Sequence, residues 1–218
     1  MVEVRTNFCF LQAVRIKMSF KENKYEVIRN VLSQDLIDYI NINVEIHENA
    51  NCFLKNLTDA KQKPYPFGDP QSPNSFSWYS SIHSESLLQF LKPTIEKITG
   101  TQLYESYSYA RNYYYGATLQ RHIDRSSCEY SVTICISKGV DWGIFIEDVD
   151  GNANEIELSP GDMVVYRGDL LYHWRNSYQG KTHRQLFLHY VDANGRYKNC
   201  KFDGRPMLAL PPNIKVRV

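Results

Sequence analysis

The hydrophobic period changes near residue 102, and this change constrains the fold more than any other feature. Before it, "DLIDYININV" and "SESLLQFLKPTIEKITG" carry apolar residues at helical spacing, and the second run stops at Gly100. After it come short strand-like runs such as "EYSVTICIS", "WGIFIED" and "HRQLFLHYVD", with "DVDGNAN" as a hairpin turn signal. Helices followed by antiparallel strands predict an α+β fold. Its core would be a β-sandwich or jelly roll, with the N-terminal helices packed on one sheet.

The length of 218 residues suits one domain, which we expect over residues 19–218, with a helical part at 30–100 and a jelly-roll core at about 100–192. Residues 1–18 are basic and only mildly apolar, so we expect a poorly structured segment that is neither a signal peptide nor a membrane span. Residues 61–80 are rich in Pro, Ser, Gly and aromatics, which predicts a long loop.

The composition favours some classes of protein over others. The 16 tyrosines suit a β-rich protein with a partly polar interior, and the net charge of +1 gives no electrostatic reason to expect nucleic-acid binding. The five cysteines form no CxxC pair, which indicates a reduced, cytoplasmic protein. We expect no membrane partner, and the sequence leaves the oligomeric state open.

Two histidines and one aspartate have the order and spacing of a metal site. His122 and Asp124 are separated by one residue, so on an extended segment both side chains point to the same side. His173 follows a Pro-Gly-Asp turn and a strand. Each histidine alone is equally consistent with a packed or solvated residue. Together, two imidazoles and a carboxylate that leave open positions are the ligand set that suits non-haem Fe(II).

The stretches "RNYYYGATLQRHIDR", "LSPGDMVVYRGDLLYHW" and "GKTHRQLFLHYV" resemble the Fe(II)- and 2-oxoglutarate-dependent dioxygenases, nearest to the prolyl 4-hydroxylase-like branch. The resemblance covers roughly residues 100–192 and implies a double-stranded β-helix, which is a jelly roll. It implies that His122, Asp124 and His173 bind the iron.

The resemblance also implies two cosubstrate contacts. Arg184 matches the basic residue that pairs with the distal carboxylate of 2-oxoglutarate, and Tyr113 matches a tyrosine that contacts the cosubstrate. Neighbouring strand residues face opposite ways, so only one of His183 and Arg184 can point inward. We favour Arg184, because a guanidinium stays charged and can hold a carboxylate with two hydrogen bonds.

The implied activity is hydroxylation of an unactivated C–H, in a peptidyl or free amino acid such as proline, with release of succinate and CO2. The cofactors would be Fe(II), 2-oxoglutarate and O2, with ascorbate as a supporting reductant. Asp124 fits a hydroxylase, since halogenases of the family typically have a small residue there. Two alternatives are a nucleobase dealkylase of the same superfamily and a non-catalytic jelly-roll protein that binds a small molecule.

No motif in the sequence identifies the substrate, which could be a small molecule or a peptide. The candidate substrate contacts are the arginines beside the metal motif and two tryptophans, namely Arg121, Arg125, Trp142 and Trp78. Each has an ordinary alternative, because solvated arginines and core or rim tryptophans are common.

Overall fold

The structure is a computed structural model that describes residues 20–57, 67–69 and 71–212. The segment 1–18, expected to be poorly structured, lies outside these residues. Within them no helix is both long and apolar enough to cross a membrane.

Three α-helices and eleven β-strands make up the regular structure of the described residues. The helices are α1 (Phe20–Asn23), α2 (Gln34–Leu57) and α3 (Ile82–Thr99). The first strands are β1 (Tyr25–Ile28), β2 (Phe67–Asp69), β3 (Ser72–Tyr79), β4 (Leu103–Tyr114), β5 (Leu119–His122) and β6 (Tyr130–Lys138). The remaining strands are β7 (Ile144–Glu147), β8 (Ala153–Ile156), β9 (Met163–Tyr166), β10 (His173–Arg175) and β11 (Thr182–Asp192). Two 3-10 helices cover Ser126–Cys128 and Lys198–Gly204.

The strands form two sheets whose pairs are all antiparallel. The larger sheet has the order β1-β9-β6-β11-β4-β3-β2, and the smaller one has the order β5-β10-β7-β8. The sheets face each other, since Cys135 and Val164 of the larger sheet pack with Ile144 and Ile146 of the smaller one. This two-sheet arrangement confirms the predicted jelly-roll core.

Helices α2 and α3 cover the outer face of the larger sheet, as predicted. Their apolar side chains form one buried cluster with the even-numbered residues of β6 and β11, including Ile40, Leu88, Ile134, Leu186 and Leu188. Helix α3 begins where Ser81 accepts a hydrogen bond from the Ser84 amide. It ends at Gly100, whose φ of +68° lets its N–H reach the Glu96 carbonyl.

The prediction of a long loop over residues 61–80 is wrong for Phe67–Asp69, which is β2, and for residues 72–79. Residues 72–79 form β3, which pairs with β4 from Ser75–Tyr113 to Tyr79–Tyr109. Serine and proline are common in loops, but tertiary pairing overrides that tendency here. Ser72, Ser75 and Ser77 are all buried in the sheet.

Side chains alternate between the two faces of the larger sheet, and this decides what lines the interior. On β11, Leu186, Leu188 and Tyr190 pack toward the helices. Phe187 and His189 point the other way, into the space between the sheets. The odd-numbered residues of β4 from Tyr107 to Tyr113 also face this interior, where they meet the residues of β5 and β10.

Candidate metal centre

His122 and His173 lie on neighbouring strands of the smaller sheet. His122 is the last residue of β5, His173 is the first of β10, and the two are direct partners in the antiparallel pair. Their ring centroids are 4.3 Å apart. The Asp124 Oδ1 atom lies 3.5 Å from His122 Nε2 and 3.6 Å from His173 Nε2. The ligand atoms of the three residues all lie within 4.8 Å of one another, so the structure brings the predicted triad together.

Both histidines are oriented by their own backbone. The Nδ1 atom of His122 is 2.7 Å from the Gln120 carbonyl oxygen, and Nδ1 of His173 is 2.9 Å from that of Leu171. A ring that donates its Nδ1–H to a carbonyl keeps the Nε2 lone pair for a metal. The two Nε2 atoms therefore present themselves as ligands on the side where Asp124 lies.

Asp124 is held by a neighbouring hydroxyl and by a close backbone approach. Its Oδ2 accepts a 2.7 Å hydrogen bond from Ser131 Oγ, and its N–H donates to the Gly168 carbonyl oxygen at 2.7 Å. A Cβ added at Gly168 would lie 2.4 Å from Asp124 Oδ2 and 2.5 Å from Ser131 Oγ. Only glycine leaves room for this arrangement, which leaves Oδ1 directed at the histidines.

The electrostatics of the triad favour an anionic carboxylate between two imidazoles. Burial by itself would raise the pKa of Asp124, but His173 and hydrogen bonds from both histidines hold that pKa well below its usual range. Burial likewise works to lower the pKa of His122, and the hydrogen bonds to Asp124 and Gln120 more than offset it, so this pKa is raised. The site is thus arranged to hold a cation.

The donor set fits an Fe(II) ion. Two imidazole nitrogens and one carboxylate oxygen on one side, with the other side open to a cavity, match the ligands of non-haem iron sites. The Gln71 amide nitrogen lies 2.9 Å from His122 Nε2, so a metal bound at that nitrogen would replace this contact.

A cavity of about 270 Å³ opens beside the triad, between the two sheets. Its wall on the larger sheet is aromatic and cationic, with Tyr79, Tyr107, Tyr109, Arg111, Tyr113 and His189. Tyr113 is fully buried, and its hydroxyl has no hydrogen-bond partner among the described residues. The predicted cosubstrate contact therefore has a free donor at the cavity wall.

The expectation that Arg184 faces the cosubstrate is wrong. Its Nη1 atom lies 3.2 Å from the Asn41 carbonyl oxygen, and its Nη2 atom lies 3.6 Å from Glu48 Oε2. Both partners belong to α2, on the outer face of the sheet. His183 points inward instead, with its ring 5.2 Å from Trp142. Burial, and then the charges of Arg175 and Lys138, lower the pKa of His183 to about 3, so this inward residue is neutral.

Two of the four candidate substrate residues point away from the interior, and of the four only Arg125 lines the cavity. Arg121 lies on the outer face of the smaller sheet, where it pairs with Glu147 at 2.7 Å and covers the Tyr172 ring at 3.6 Å. Trp78 points toward α2, with its ring centroid 3.2 Å from that of His47. Strand alternation places both side chains opposite the face that substrate contact would need.

The other two candidates lie inside, in different settings. Arg125 lines the cavity, but Asp203 holds its guanidinium through two hydrogen bonds of 2.6 and 2.8 Å. The Asp203 carboxylate therefore already neutralises the Arg125 charge that was a candidate for binding an acidic group of the substrate. Trp142 packs on the rings of Tyr113 and Tyr178, each at 4.9 Å, and so belongs to an aromatic cluster of the interior, but it does not line the cavity.

Sequence reasoning missed several inward residues. Arg175 lies two positions after His173 on the same strand, which is a spacing that places both on one face. Tyr166 packs its ring 4.9 Å from that of His173. His189 lies 3.1 Å from Ser131 Oγ through its Nδ1, and burial lowers its pKa to about 4. Because side chains alternate along a strand, the positions two and four residues from Phe187 on β11 share its face. This pattern would have indicated that His189 and His183 point inward.

Comparisons with known proteins identify the fold. No family model and no curated protein sequence matches the chain. Among solved structures it is similar to HygX of Streptomyces hygroscopicus with nickel, 2-oxoglutarate and hygromycin B bound (12% identity, 80% of this chain and 85% of that chain, TM-score 0.59). It is also similar to the epimerase SnoN in complex with Fe3+, alpha ketoglutarate and nogalamycin RO (11%, 82% and 83%, 0.60).

A third similar structure is a Pseudomonas putida prolyl-4-hydroxylase (15% identity, 79% of this chain and 95% of that chain, TM-score 0.55). In all three matches the similarity extends over most of both chains. The chain has the fold of the Fe(II)- and 2-oxoglutarate-dependent oxygenases.

Proposed function

We propose that the protein is an Fe(II)- and 2-oxoglutarate-dependent oxygenase that hydroxylates an unactivated C–H. The observation that carries this proposal is the convergence of His122, Asp124 and His173 at the open side of a buried cavity. Fe(II) with 2-oxoglutarate and O2 supplies the oxidising power for such a reaction, with succinate and CO2 as coproducts.

The residues of this chain would hold the metal. His122 and His173 donate through Nε2, and Asp124 through Oδ1, while Ser131 keeps the other carboxylate oxygen occupied. The cavity lies between the two sheets, and the triad stands at its open side, where a substrate can reach it.

Unpaired polar atoms in the interior between the two sheets could bind a polar ligand. Several inward side chains of both sheets have buried atoms without a hydrogen-bond partner among the described residues: Tyr113 Oη, Thr133 Oγ1, Arg175 Nε, His183 Nδ1 and Gln185 Oε1. Unsatisfied buried polar groups are costly, and a cluster of them is a common sign of a bound molecule or water. A dicarboxylate such as 2-oxoglutarate offers acceptors for the donors in this group.

For the substrate, we propose a small molecule or a peptidyl or free amino acid, with proline as the first to test. The tyrosines at the cavity wall, Tyr79, Tyr107 and Tyr109, offer flat aromatic faces to such a molecule. The similar structures support this size class, since they were solved with hygromycin B and nogalamycin RO or belong to a prolyl-4-hydroxylase.

The test is formation of succinate from 2-oxoglutarate by the purified protein with Fe(II) and O2, screened against free amino acids, proline-rich peptides and small glycosylated compounds. We expect His122→Ala and Asp124→Ala to lose iron binding and succinate formation. Arg121→Ala on the outer face is the matched control and should behave as wild type. Iron bound in the presence of oxygen without any succinate would contradict the oxygenase proposal.

A further inference from the structure

Arg175 is a buried cation on the inner face of the smaller sheet. Only 3% of its surface is exposed. Strand β10 alternates, with His173 and Arg175 pointing inward while Trp174 points outward and stacks on Phe145 at 5.2 Å. The metal ligand and the guanidinium therefore project from one strand into the same interior.

The guanidinium has no anionic partner among the residues that the structure describes. Its Nη1 donates to the Trp142 carbonyl oxygen at 2.6 Å, and its Cζ lies 4.7 Å from the centre of the Trp142 ring. Its Nε has no hydrogen-bond partner, and no ion pair in the described part of the chain includes Arg175. A buried charge without a counter-ion is strongly unfavourable, so this position favours an anion that the described residues do not supply.

The unpaired polar atoms of the interior gather around the same tryptophan. The ring of Trp142 lies 4.9 Å from that of Tyr113 and 5.2 Å from that of His183. The Tyr113 hydroxyl and the Arg175 Nε are both donors without an acceptor. Two hydrogen-bond donors and a positive charge beside the same side chain can bind a carboxylate.

We propose that Arg175 of β10, in place of a residue of β11, binds the distal carboxylate of 2-oxoglutarate, with the Tyr113 hydroxyl as a second donor. This inference rests on the proposed function. On β11 the only arginine, Arg184, is held by Asn41 and Glu48 on the outer face. The inward His183 offers no charge.

The spacing along β10 suits a five-carbon dicarboxylate. Residues two apart on a strand are separated by about 6.6 Å. The terminal carbons of 2-oxoglutarate are joined by four C–C bonds of about 1.5 Å, which span roughly 5 Å when extended. A ligand with one end at the metal held by His173 can thus place its other end at the Arg175 guanidinium.

The competing cation is Arg111, which lines the cavity directly. Its Nε donates to Ser77 Oγ at 3.2 Å, and its Nη2 lies 3.4 Å from the Tyr109 hydroxyl. Arg111 belongs to the opposite sheet from Arg175. Substituting each arginine by itself therefore distinguishes their contributions to 2-oxoglutarate binding. The matched control is Arg184, which is an arginine of the same core that faces away from the cavity.

The experiment measures 2-oxoglutarate binding to the anaerobic Fe(II)-loaded protein by the visible charge-transfer absorption of the iron–2-oxo acid chelate. Arg175→Gln should bind Fe(II) as wild type does and lose about 10- to 100-fold in affinity for 2-oxoglutarate, as expected for one lost charge-assisted pair. Arg184→Gln should match wild type. Pyruvate lacks the distal carboxylate and should bind to wild type and Arg175→Gln equally.

Unchanged 2-oxoglutarate affinity in Arg175→Gln would overturn the proposal, and so would a loss confined to Arg111→Gln. If Arg175→Gln fails to fold, a second measurement tests the proposal in variants that keep Arg175. It records whether 2-oxoglutarate changes the tryptophan fluorescence emission. Of the three tryptophans, only Trp142 contacts Arg175, so 2-oxoglutarate should change the emission of Trp174→Phe but not of Trp142→Phe. A response that persists in Trp142→Phe would contradict the site. Absence of Fe(II) binding in wild type would instead refute the proposed function.

Discussion

His122 and His173 are direct cross-strand partners, with ring centroids 4.3 Å apart. Backbone hydrogen bonds between β5 and β10 therefore set the distance between the two imidazole ligands. Each ring is also fixed through Nδ1 by a carbonyl two residues earlier. The metal site is thus pre-organised by the smaller sheet, and Asp124 completes it from the segment that follows β5.

Gly168→Ala should damage the metal site through Asp124. The new methyl group would overlap Asp124 Oδ2 and Ser131 Oγ, so the carboxylate has to move. We expect at least a tenfold loss of Fe(II) affinity and a loss of about 1–3 kcal/mol in the free energy of unfolding. Metal titration and chemical denaturation measure these two effects.

Gly143→Ala is the control for this substitution. Its added methyl group meets only the side chain of the exposed residue Glu155, which can turn away. Wild-type iron affinity in Gly168→Ala would show that the close approach of Gly168 does not position Asp124.

Ser131→Ala should weaken metal binding while the fold is kept. The serine hydroxyl donates to Asp124 Oδ2 at 2.7 Å and lies 3.1 Å from His189 Nδ1. Loss of such a supporting hydrogen bond typically costs about 10- to 100-fold in metal affinity. Isothermal titration with Fe(II) or Ni(II) measures it, and Ser137→Ala on the same strand serves as control. Equal affinities of the two variants would refute this role of Ser131.

The Asp203–Arg125 pair should make stability depend on pH in the acid range. Burial favours the neutral acid, but hydrogen bonds from Arg125 and Tyr79 lower the pKa of Asp203 to about 2. The unfolded value is about 4, so the pair stabilises the fold above that pH and its contribution is lost as pH falls toward 2. Because Arg125 is half-exposed, we expect a contribution of about 1 kcal/mol.

The measurement compares the free energy of unfolding of wild type and Asp203→Asn between pH 6 and pH 2. The difference between them should shrink as the pH falls. A difference that stays constant across this range would mean that the ionised carboxylate is not the stabilising group.

Glu85→Gln should be far more destabilising than Glu147→Gln. Glu85 and Arg205 form a 2.7 Å ion pair whose side chains are 2% and 1% exposed. Removing one charge leaves the other buried and unpaired, which costs about 3–5 kcal/mol. The Arg121–Glu147 pair has the same 2.7 Å length, but it lies at the surface, where solvent screens it, and should contribute far less. Thermal unfolding of the two variants compares them directly, and similar losses would refute the prediction.

The sequence determined the broad architecture and indicated the three candidate metal ligands of this protein. Apolar spacing indicated α2 and α3, and short alternating runs indicated the strands from β4 onward. The His122-x-Asp124 motif and His173 were recognisable because the spacing of two on an extended segment is a local property.

The tertiary structure decided which residues complete the site. Residues 72–79 read as a loop, yet pairing with β4 makes them a strand that supplies Tyr79 to the cavity. The choice between His183 and Arg184 depended on register, because a shift of one residue moves every side chain of a strand to the opposite face. An irregularity in the β6–β11 pairing falls between Arg184 and Gln185, where no local pattern marks it. Long-range contacts to Asn41 and Glu48 of α2 therefore settled the direction of Arg184, and these contacts exist only in the folded chain.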